Sequence, residues 1–419
     1  MRKLFLAGLT AAVMSLGAIT VSVPGNAAPE PSFVAGQIMV KFRDSRAAAG
    51  VLRAHGLSDG PDIGNTGAHL ISVPAGRELQ LIEALGRNPA VEYAEPDNVV
   101  TAAGTDTYFD RQYALQNTGQ PFTNTRGDIT VAAGTADADV DAVEAWKVTT
   151  GSGTIVAVLD SGVATDNPDI NPKVDLRQNF TTSRNNEDNY GHGTHVAGII
   201  AATKDNSAGV AGVCPGCRIL AGKVLSDSGF GSSSGLANGI NWAVNNGAKV
   251  INMSLVVGAT ATLQTAVNNA WNAPNGGVVL VAAAGNSGGT GMMYPAAYSN
   301  VIAVGATDNK DAKASFSTFG KDWVDVAAPG VAVYSTFPNH RFTLAREYNR
   351  SQGYDIGNGT SMASPIVAAV AALVWSTSPG ATPSSVRAKV ELNSEKKVGQ
   401  QDDWAYGRVN ACRAVGGGC

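Results

Sequence analysis

Charge is scarce in this chain. Charged residues make up 15% of its 419 positions, against roughly 25% in an ordinary globular protein. No long run of lysine or arginine occurs and the formal net charge is -4, so nothing is offered to neutralise a phosphate backbone or an anionic bilayer. Nucleic acid and membrane surfaces are therefore poor partners. Disorder is also excluded, because hydrophobic residues reach 44% and can build a core; the surface must then be rich in Ser, Thr, Asn and Gly. Beyond the first residues no segment is long and apolar enough to span a bilayer once its polar interruptions are counted. Glycine is plentiful at 49 residues, which suggests many tight turns and close backbone approaches. The length exceeds one ordinary domain and fits one large core plus a smaller unit.

The N-terminus has the form of a secretory signal. Arg2 and Lys3 precede an apolar stretch from Leu4 to Val23, which ends in Pro24-Gly25-Asn26-Ala27-Ala28. The small residues favour cleavage after Ala27, and the missing basic cluster beyond argues against a membrane anchor. Export places the four cysteines in an oxidising compartment, where pairing is the default. Three connectivities are possible. The local one, Cys214 with Cys217 and Cys412 with Cys419, closes a short loop each time. A zinc or redox use of Cys214-Pro-Gly-Cys217 lacks a second cysteine pair with suitable histidines.

From about Ser32 to Asp97 strand and helix patterns alternate, as in a small α+β unit. Gln37 to Phe42, Ala68 to Val73 and a run starting at Val91 have strand character, and Arg46 to His55 and Glu78 to Leu85 have helical spacing. Val99 to Asp106 is small and polar, the composition of a linker or processing site. Beyond it short apolar runs, Ile155 to Leu159, Val250 to Met253, Val278 to Ala284 and Val301 to Val304, alternate with helical segments. Such runs fit strands buried on both faces of a parallel sheet. Ligands of such sheets bind beyond the carboxyl ends of the strands, where Asp160, Ser254 and Asn286 fall.

Three residues have both a plain and a chemical reading. Asp160 ends the run Thr154 to Leu159 and precedes Ser161-Gly162, as a turn-capping aspartate also would. His192 opens a glycine-rich helix start, Gly191-His192-Gly193-Thr194-His195. A structural helix histidine would serve there too, and the glutamate of a His-Glu-x-x-His metal pair is missing. Ser361 lies in Asn358-Gly359-Thr360-Ser361-Met362-Ala363-Ser364-Pro365, at a helix start where Pro365 is expected in the first turn. An N-cap serine fits, and so does a nucleophile facing the free N-H groups of a helix end.

Together the three motifs resemble those of the subtilisin family, and the order Asp, His, Ser is that family's order. Tyr108-Phe109 and Gln116-Asn117-Thr118-Gly119-Gln120 are most similar to its thermitase branch. The resemblance implies a three-layer α/β/α sandwich with a mainly parallel sheet, preceded by a small ferredoxin-like α+β propeptide. It divides the chain into a signal peptide 1–27, an inhibitory propeptide 28–103 and a peptidase domain 104–419. Ser361 is then the nucleophile, His192 the general base and Asp160 its orienting carboxylate. His195 is the motif's non-catalytic histidine, and Asn286 the side-chain oxyanion donor. A rival nucleophile elbow, Gly231-Ser232-Ser233-Ser234-Gly235, lacks a preceding strand and has the wrong triad order.

The resemblance also makes Ser228, Gly229, Phe230 and Gly231 an edge that pairs with an extended peptide. Ser254, Leu255 and Val256 form the opposite edge, with Val256 where the family has glycine, and Ala283, Ala284 and Gly285 wall the first specificity pocket. These small uncharged linings imply broad cleavage of proteins and peptides with apolar preference. Asp106, Asp169, Asn206 and the carbonyls of Ala208 and Val210 match calcium ligands, for a structural Ca2+. The expected protein is a secreted, extracellular monomer whose own propeptide inhibits it, with no membrane contact once the signal is removed. The stretch Phe337 to Asp355, longer than the common family loop, has no role legible in the sequence.

Overall fold

The computed structural model describes residues 33–98, 106–378, 380–396 and 402–419. The expected signal peptide, and the processing stretch up to residue 105, lie outside the described residues. The chain divides into two units, residues 1–102 and 103–419.

In the first unit, strands β1 (Phe33–Phe42), β2 (Ala68–Ser72) and β3 (Val91–Asn98) form an antiparallel sheet with β1 in the middle. Helices α1 (Ala48–Ala54) and α2 (Glu78–Gly86) make the two crossovers. Ile38, Val40, Leu52, Ile71, Leu81 and Leu85 are buried together, which is the amphipathic solution that the period-2 and helical spacings demand. The order is β-α-β-α-β among the described residues, whereas the full ferredoxin-like motif is β-α-β-β-α-β.

The second unit is built on a parallel sheet of eight strands among the described residues. They are β4 (Ile155–Asp160), β5 (Val174–Asn179), β6 (Arg218–Lys223), β7 (Val250–Met253), β8 (Val279–Ala283), β9 (Val301–Thr307) and β10 (Val326–Pro329). A hairpin, β11 (Val333–Thr336) with β12 (Tyr354–Gly357), stands outside the sheet, and β13 (Gly407–Arg408) completes it. The spatial order is β13-β10-β9-β8-β7-β4-β6-β5. Chain direction across the sheet therefore reverses between β4 and β7. That switch point is where an open α/β sheet leaves a crevice at its carboxyl edge.

Burial on both faces explains the unbroken apolar runs. Along β4, Val156 and Val158 enter one core while Ala157 and Leu159 enter the other. The first core lies under helices α3 (His192–Ala201) and α7 (Thr360–Ser376). The second lies under α4 (Ser233–Asn245) and α5 (Ala261–Trp271). This is the three-layer sandwich expected from the sequence. Helix α8 (Pro383–Leu392) opens with a capping box between Thr382 and Ser385. The stretch between β11 and β12 carries one short helix, α6 (Thr343–Tyr348).

Two expectations need adjustment. Helix α7 begins at Thr360, so Pro365 falls in its second turn and not its first. Ser361 is likewise not the N-cap, which is Gly359 without a side-chain cap bond. Both disulfides have the expected local pairing, Cys214–Cys217 and Cys412–Cys419. No helix among the described residues is long and apolar enough to cross a membrane.

Candidate active site

Asp160, His192 and Ser361 come from three elements that meet at the switch point. Asp160 is the last residue of β4 and is fully buried. Its Oδ1 accepts from the Ser161 amide at 2.7 Å and contacts His192 Nδ1 at 2.8 Å, while Oδ2 has no hydrogen-bond donor among the described residues. A buried carboxylate is tolerable only with such partners. The His192 side chain retains 16% exposure, enough to reach the cleft. Burial pulls its pKa down, but the charge and hydrogen bond of Asp160, helped by Asp188, outweigh this and hold it above the ordinary value of 6.5.

His192 is aimed by a cap that sequence reasoning missed. Asp188, fully buried, accepts from the Gly191 amide, the Thr194 amide and hydroxyl, and the Ser161 hydroxyl at 2.6–2.8 Å. The two amides belong to the unpaired backbone donors at the α3 N-terminus. Ser161 Oγ in turn accepts from the Gly193 amide at 2.9 Å, tying the helix start to the residue after Asp160. The approach is so close that a Cβ on Gly193 would lie 2.1 Å from the Gly162 carbonyl. An aspartate three residues before a glycine-led helix is a legible capping signal, and it could have been read.

His195 is fully buried one turn on, and its Nε2 donates to the Asp355 carbonyl at 3.2 Å. Burial, then the neighbouring His192, push its pKa down to about 3. It is therefore a neutral packing residue.

Ser361 is the second residue of α7. Its Oγ donates to the Ser254 carbonyl at 3.2 Å, and its own carbonyl accepts from Ser254 Oγ at 2.8 Å. Its amide N-H is bonded to no acceptor among the described residues. Asn286 follows the end of β8, and its Oδ1 accepts from the Thr360 amide at 2.9 Å and the Thr360 hydroxyl at 3.0 Å. With its oxygen so held, its Nδ2 is left for the cleft. Asn286, His192 and Ser361 line one cavity of about 350 Å3. A serine beside a carboxylate-oriented imidazole, with two free N-H donors nearby, is the arrangement that acyl transfer requires.

The expected substrate edges are placed as follows. Ser254 is buried, Leu255 is half-buried and Val256 is 54% exposed, so the valine expected to stand in place of a family glycine lies in solvent beyond the carboxyl end of β7. Ala283, Ala284 and Gly285 are buried at the end of β8, where the Gly285 amide donates to Thr360 Oγ1 at 3.1 Å. Ser228 to Gly231 is a tight turn and not a free strand. A bridge joins Leu225 to Gly231, the Ser226 amide donates to the Phe230 carbonyl at 2.8 Å, and the Gly229 amide donates to the Ser226 carbonyl at 2.9 Å. Those two groups are already committed, while the Phe230 ring is 78% exposed.

The candidate calcium residues do gather. Asp169 Oδ1 accepts from Asn206 Nδ2 and Oδ2 from the Val210 amide, both at 2.8 Å. Asp106 accepts from the amides of Asp205 and Asn206 at 3.2 and 3.1 Å. Burial, opposed by these donors but reinforced by the charge of Asp106, pushes the Asp169 pKa up to about 6. Burial raises that of Asp106 as well. The carbonyls of Ala208 and Val210 accept no hydrogen bond among the described residues. Adjacent buried carboxylates with neighbouring free carbonyls are the donor chemistry of a hard divalent cation. Asn206 Oδ1 accepts from the Ala208 amide at 2.9 Å, so this oxygen already has a donor.

A second acidic group, Asp137, Asp139 and Asp141, was not anticipated; its carboxylate oxygens lie within 4.8 Å of one another. Burial raises Asp139 to about 7. The fully buried Arg408 offsets part of this negative charge, and Asn410 Nδ2 donates a hydrogen bond to Asp141.

The chain is similar over most of its length to known proteins. Residues 151–408 match the Subtilase family and residues 20–97 match the fervidolysin N-terminal prodomain. A thermophilic serine proteinase of Bacillus sp. (strain AK1) is 39% identical over 92% of this chain and 88% of its own. Thermitase of Thermoactinomyces vulgaris is 46% identical over 66% of this chain and 93% of its own. Among solved structures, a protease of Pseudoalteromonas arctica PAMC 21717 superposes with a TM-score of 0.64 at 28% identity, covering 75% of this chain and 99% of that one. The chain belongs to the subtilase family of serine proteases and has an N-terminal prodomain.

Proposed function

We propose that the protein is a secreted serine endopeptidase of broad specificity that activates itself by cutting off its propeptide, and that Asp160, His192 and Ser361 carry the reaction. The observation that supports this most is the 2.8 Å bond from His192 Nδ1 to the buried Asp160, in a cleft that His192 shares with Ser361 and Asn286. When substrate enters, the Ser361 hydroxyl exchanges the Ser254 carbonyl for His192 Nε2. Its Oγ attacks the scissile carbonyl carbon as His192 takes the proton. The oxyanion is met by Asn286 Nδ2 and the Ser361 amide. Collapse breaks the C-N bond, and His192 hands its proton to the leaving amine. Water, deprotonated by the same imidazole, attacks the acyl carbon; the C-Oγ bond breaks and His192 returns the proton to Ser361 Oγ, which releases the carboxylic acid.

Ser228 to Gly231 and Ser254 to Val256 flank the acyl side of the substrate in this reading. Ala283, Ala284 and Gly285 bound a small uncharged first pocket, which supports apolar preference without strict selection. Asp106, Asp169, Asn206 and the carbonyls of Ala208 and Val210 hold a structural calcium ion, which supplies charge neutralisation to the loop and takes no part in the chemistry. The three-part division at 27/28 and 103/104, the extracellular location and a monomeric mature enzyme complete the proposal.

The test is to express the precursor and its Ser361→Ala variant and follow chain length and casein hydrolysis. Wild type shortens itself between residues 99 and 106, digests casein and is labelled at Ser361 by a fluorophosphonate, whereas the variant does none of these. Equal maturation of both forms without added protease, or an inert wild type, overturns the assignment.

A further inference from the structure

The 337–355 stretch lies against the catalytic cleft. Phe342, buried, stacks on Phe337 at 5.1 Å. The amides of Thr343 and Leu344 donate to the carbonyls of Asn189 and Tyr190 at 2.9 and 3.1 Å, immediately before His192 in the chain. His340 Nδ1 pairs with Asp166 at 2.7 Å. The contact relies on Gly191, whose φ is +100°, because a Cβ there would lie 2.3 Å from the Phe342 ring. Helix α6 is thus pinned beside the imidazole, and Leu344, Tyr348 and Arg350 join His192 and Ser361 in lining the cleft.

This wall stands on one side of the nucleophile. None of Ser228 to Gly231 or Ser254 to Val256 lines that cavity. If those edges hold the acyl part of a substrate, the cavity receives the residues after the scissile bond. Arg350 also lines an adjoining cavity of about 710 Å3, together with Arg126, Arg341 and Arg346 and with no acidic side chain. Its guanidinium is short of partners: Nη1 is buried and has no acceptor among the described residues. A buried N-H without an acceptor is costly, and a guanidinium is shaped to grip a carboxylate with two parallel bonds.

Two nearby acids, Asp355 and Asp128, are otherwise engaged. Asp355 is fully buried and accepts from the amides of Ser351 and Ile356, both at 2.8 Å. Asp128 lies 3.8 Å from Arg126 and accepts from Asn349 at 2.7 Å. Glu347, exposed on α6, is ion-paired with none of these arginines among the described residues.

We propose that the 337–355 insertion builds a cationic subsite on the leaving-group side of the cleft, in which Arg350 binds a carboxylate of the substrate. This rests on Ser361 being the nucleophile. The carboxylate is an Asp or Glu side chain within the first three residues after the scissile bond, or the free end of a short peptide product. Arg341 and Arg346 add attraction at longer range.

The matured enzyme, expressed as the full chain, is offered internally quenched peptides of one fixed acyl sequence. Each of the three following residues is Glu, Gln or Lys in turn, and the C-terminus is free or amidated. We expect kcat/KM for Glu to exceed that for Gln about tenfold at one position, the low end for a charge-assisted hydrogen bond, and the preference to fade with salt. It falls to within twofold in Arg350→Gln and survives in part in Arg350→Lys. A preference confined to the free-acid peptides assigns the site to a chain end. Equal rates for Glu and Gln in both peptide series overturn the subsite and leave the peptidase intact, and this needs no variant to fold. A preference unchanged in Arg350→Gln removes Arg350 as the binding group. If the wild type cuts none of the peptides, the peptidase reading fails and the subsite falls with it.

Discussion

Ser254 and Ser361 hold each other reciprocally, each hydroxyl donating to the other's carbonyl, at 2.8 and 3.2 Å. The shorter bond has a covalent cause. Pro365 has no N-H, so it cannot bond the carbonyl four residues earlier in α7, which is that of Ser361. Ser254, at the carboxyl end of β7, supplies the missing donor and locks the helix start to the sheet. Ser254→Ala is expected to cost about 1–3 kcal/mol of stability, the penalty for a buried acceptor left alone. In a Pro365→Ala background, where the helix can make its own bond, the cost is about 1 kcal/mol smaller. Denaturation of the four combinations in a Ser361→Ala chain, which lacks the proposed nucleophile and so does not digest itself in that mechanism, measures this coupling. Strictly additive penalties contradict it.

The pH profile follows from His192. In the proposed mechanism its base form is the active one, and Asp160 holds its pKa above 6.5 despite burial. The acid limb of kcat/KM is therefore expected at higher pH than an unperturbed imidazole gives, with a neutral to alkaline optimum. Asp160→Asn removes the charge that raises the pKa, so the limb of the residual activity moves to lower pH while the rate falls by about 10,000-fold, as in other Asp-His-Ser enzymes. A limb at the same pH in wild type and variant refutes the electrostatic account.

Asn286→Ala tests the oxyanion assignment. The expected loss is about 100- to 1,000-fold in kcat, a magnitude known from the equivalent donor in a subtilisin and borrowed from it, with KM little changed. Because Asn286 Oδ1 also accepts from the Thr360 amide and hydroxyl, the variant is also expected to have a lower thermal midpoint, and kcat is measured well below it so that unfolding does not contribute to the loss. A variant whose KM rises while kcat stands would show that Asn286 binds the ground state.

Much of the fold was legible because its signals are local. Strands buried on both faces are continuous apolar runs, and the motifs around Asp160, His192 and Ser361 each sit in one short stretch. What escaped the sequence depends on distant partners. The Ser254–Ser361 pair spans 107 residues, and nothing near Pro365 says which group replaces its N-H. Pro365 was expected one turn too early because the helix start depends on Thr360 meeting Asn286 across the fold. Ser228 to Gly231 was expected as an edge that pairs with an extended peptide, and its turn was not legible, since glycine permits turn and strand alike and only hydrogen bonds distinguish them. Arg350 is an ordinary loop arginine until the insertion folds against His192.

Calcium should act on stability before rate. Chelation of the mature enzyme is expected to lower its thermal midpoint by several degrees, since an ion at about 100 times its Kd contributes about 2.7 kcal/mol. Initial rates measured at once after chelation at low temperature stay near those of the untreated enzyme. Asp169→Ala, which removes one buried carboxylate, should abolish the difference between calcium and chelator. An immediate loss of turnover at an unchanged midpoint would place the ion in the chemistry instead.

Asp188 is a positioning residue that the sequence reading passed over, and its variants separate aim from charge. The carboxylate takes four donors, from Ser161, Gly191 and Thr194, so no neutral side chain of its size can satisfy all of them. Asp188→Asn brings two N-H groups against these donors and is expected to cost about 2 kcal/mol or more, comparable with loss of a strong N-terminal cap. Because Asp188 also helps to raise the His192 pKa, the acid limb of kcat/KM should move slightly downward. Asp188→Glu keeps the charge but displaces the helix start, so it lowers kcat without that movement. If Asp188→Asn keeps the wild-type midpoint and rate, α3 is held in place by packing alone.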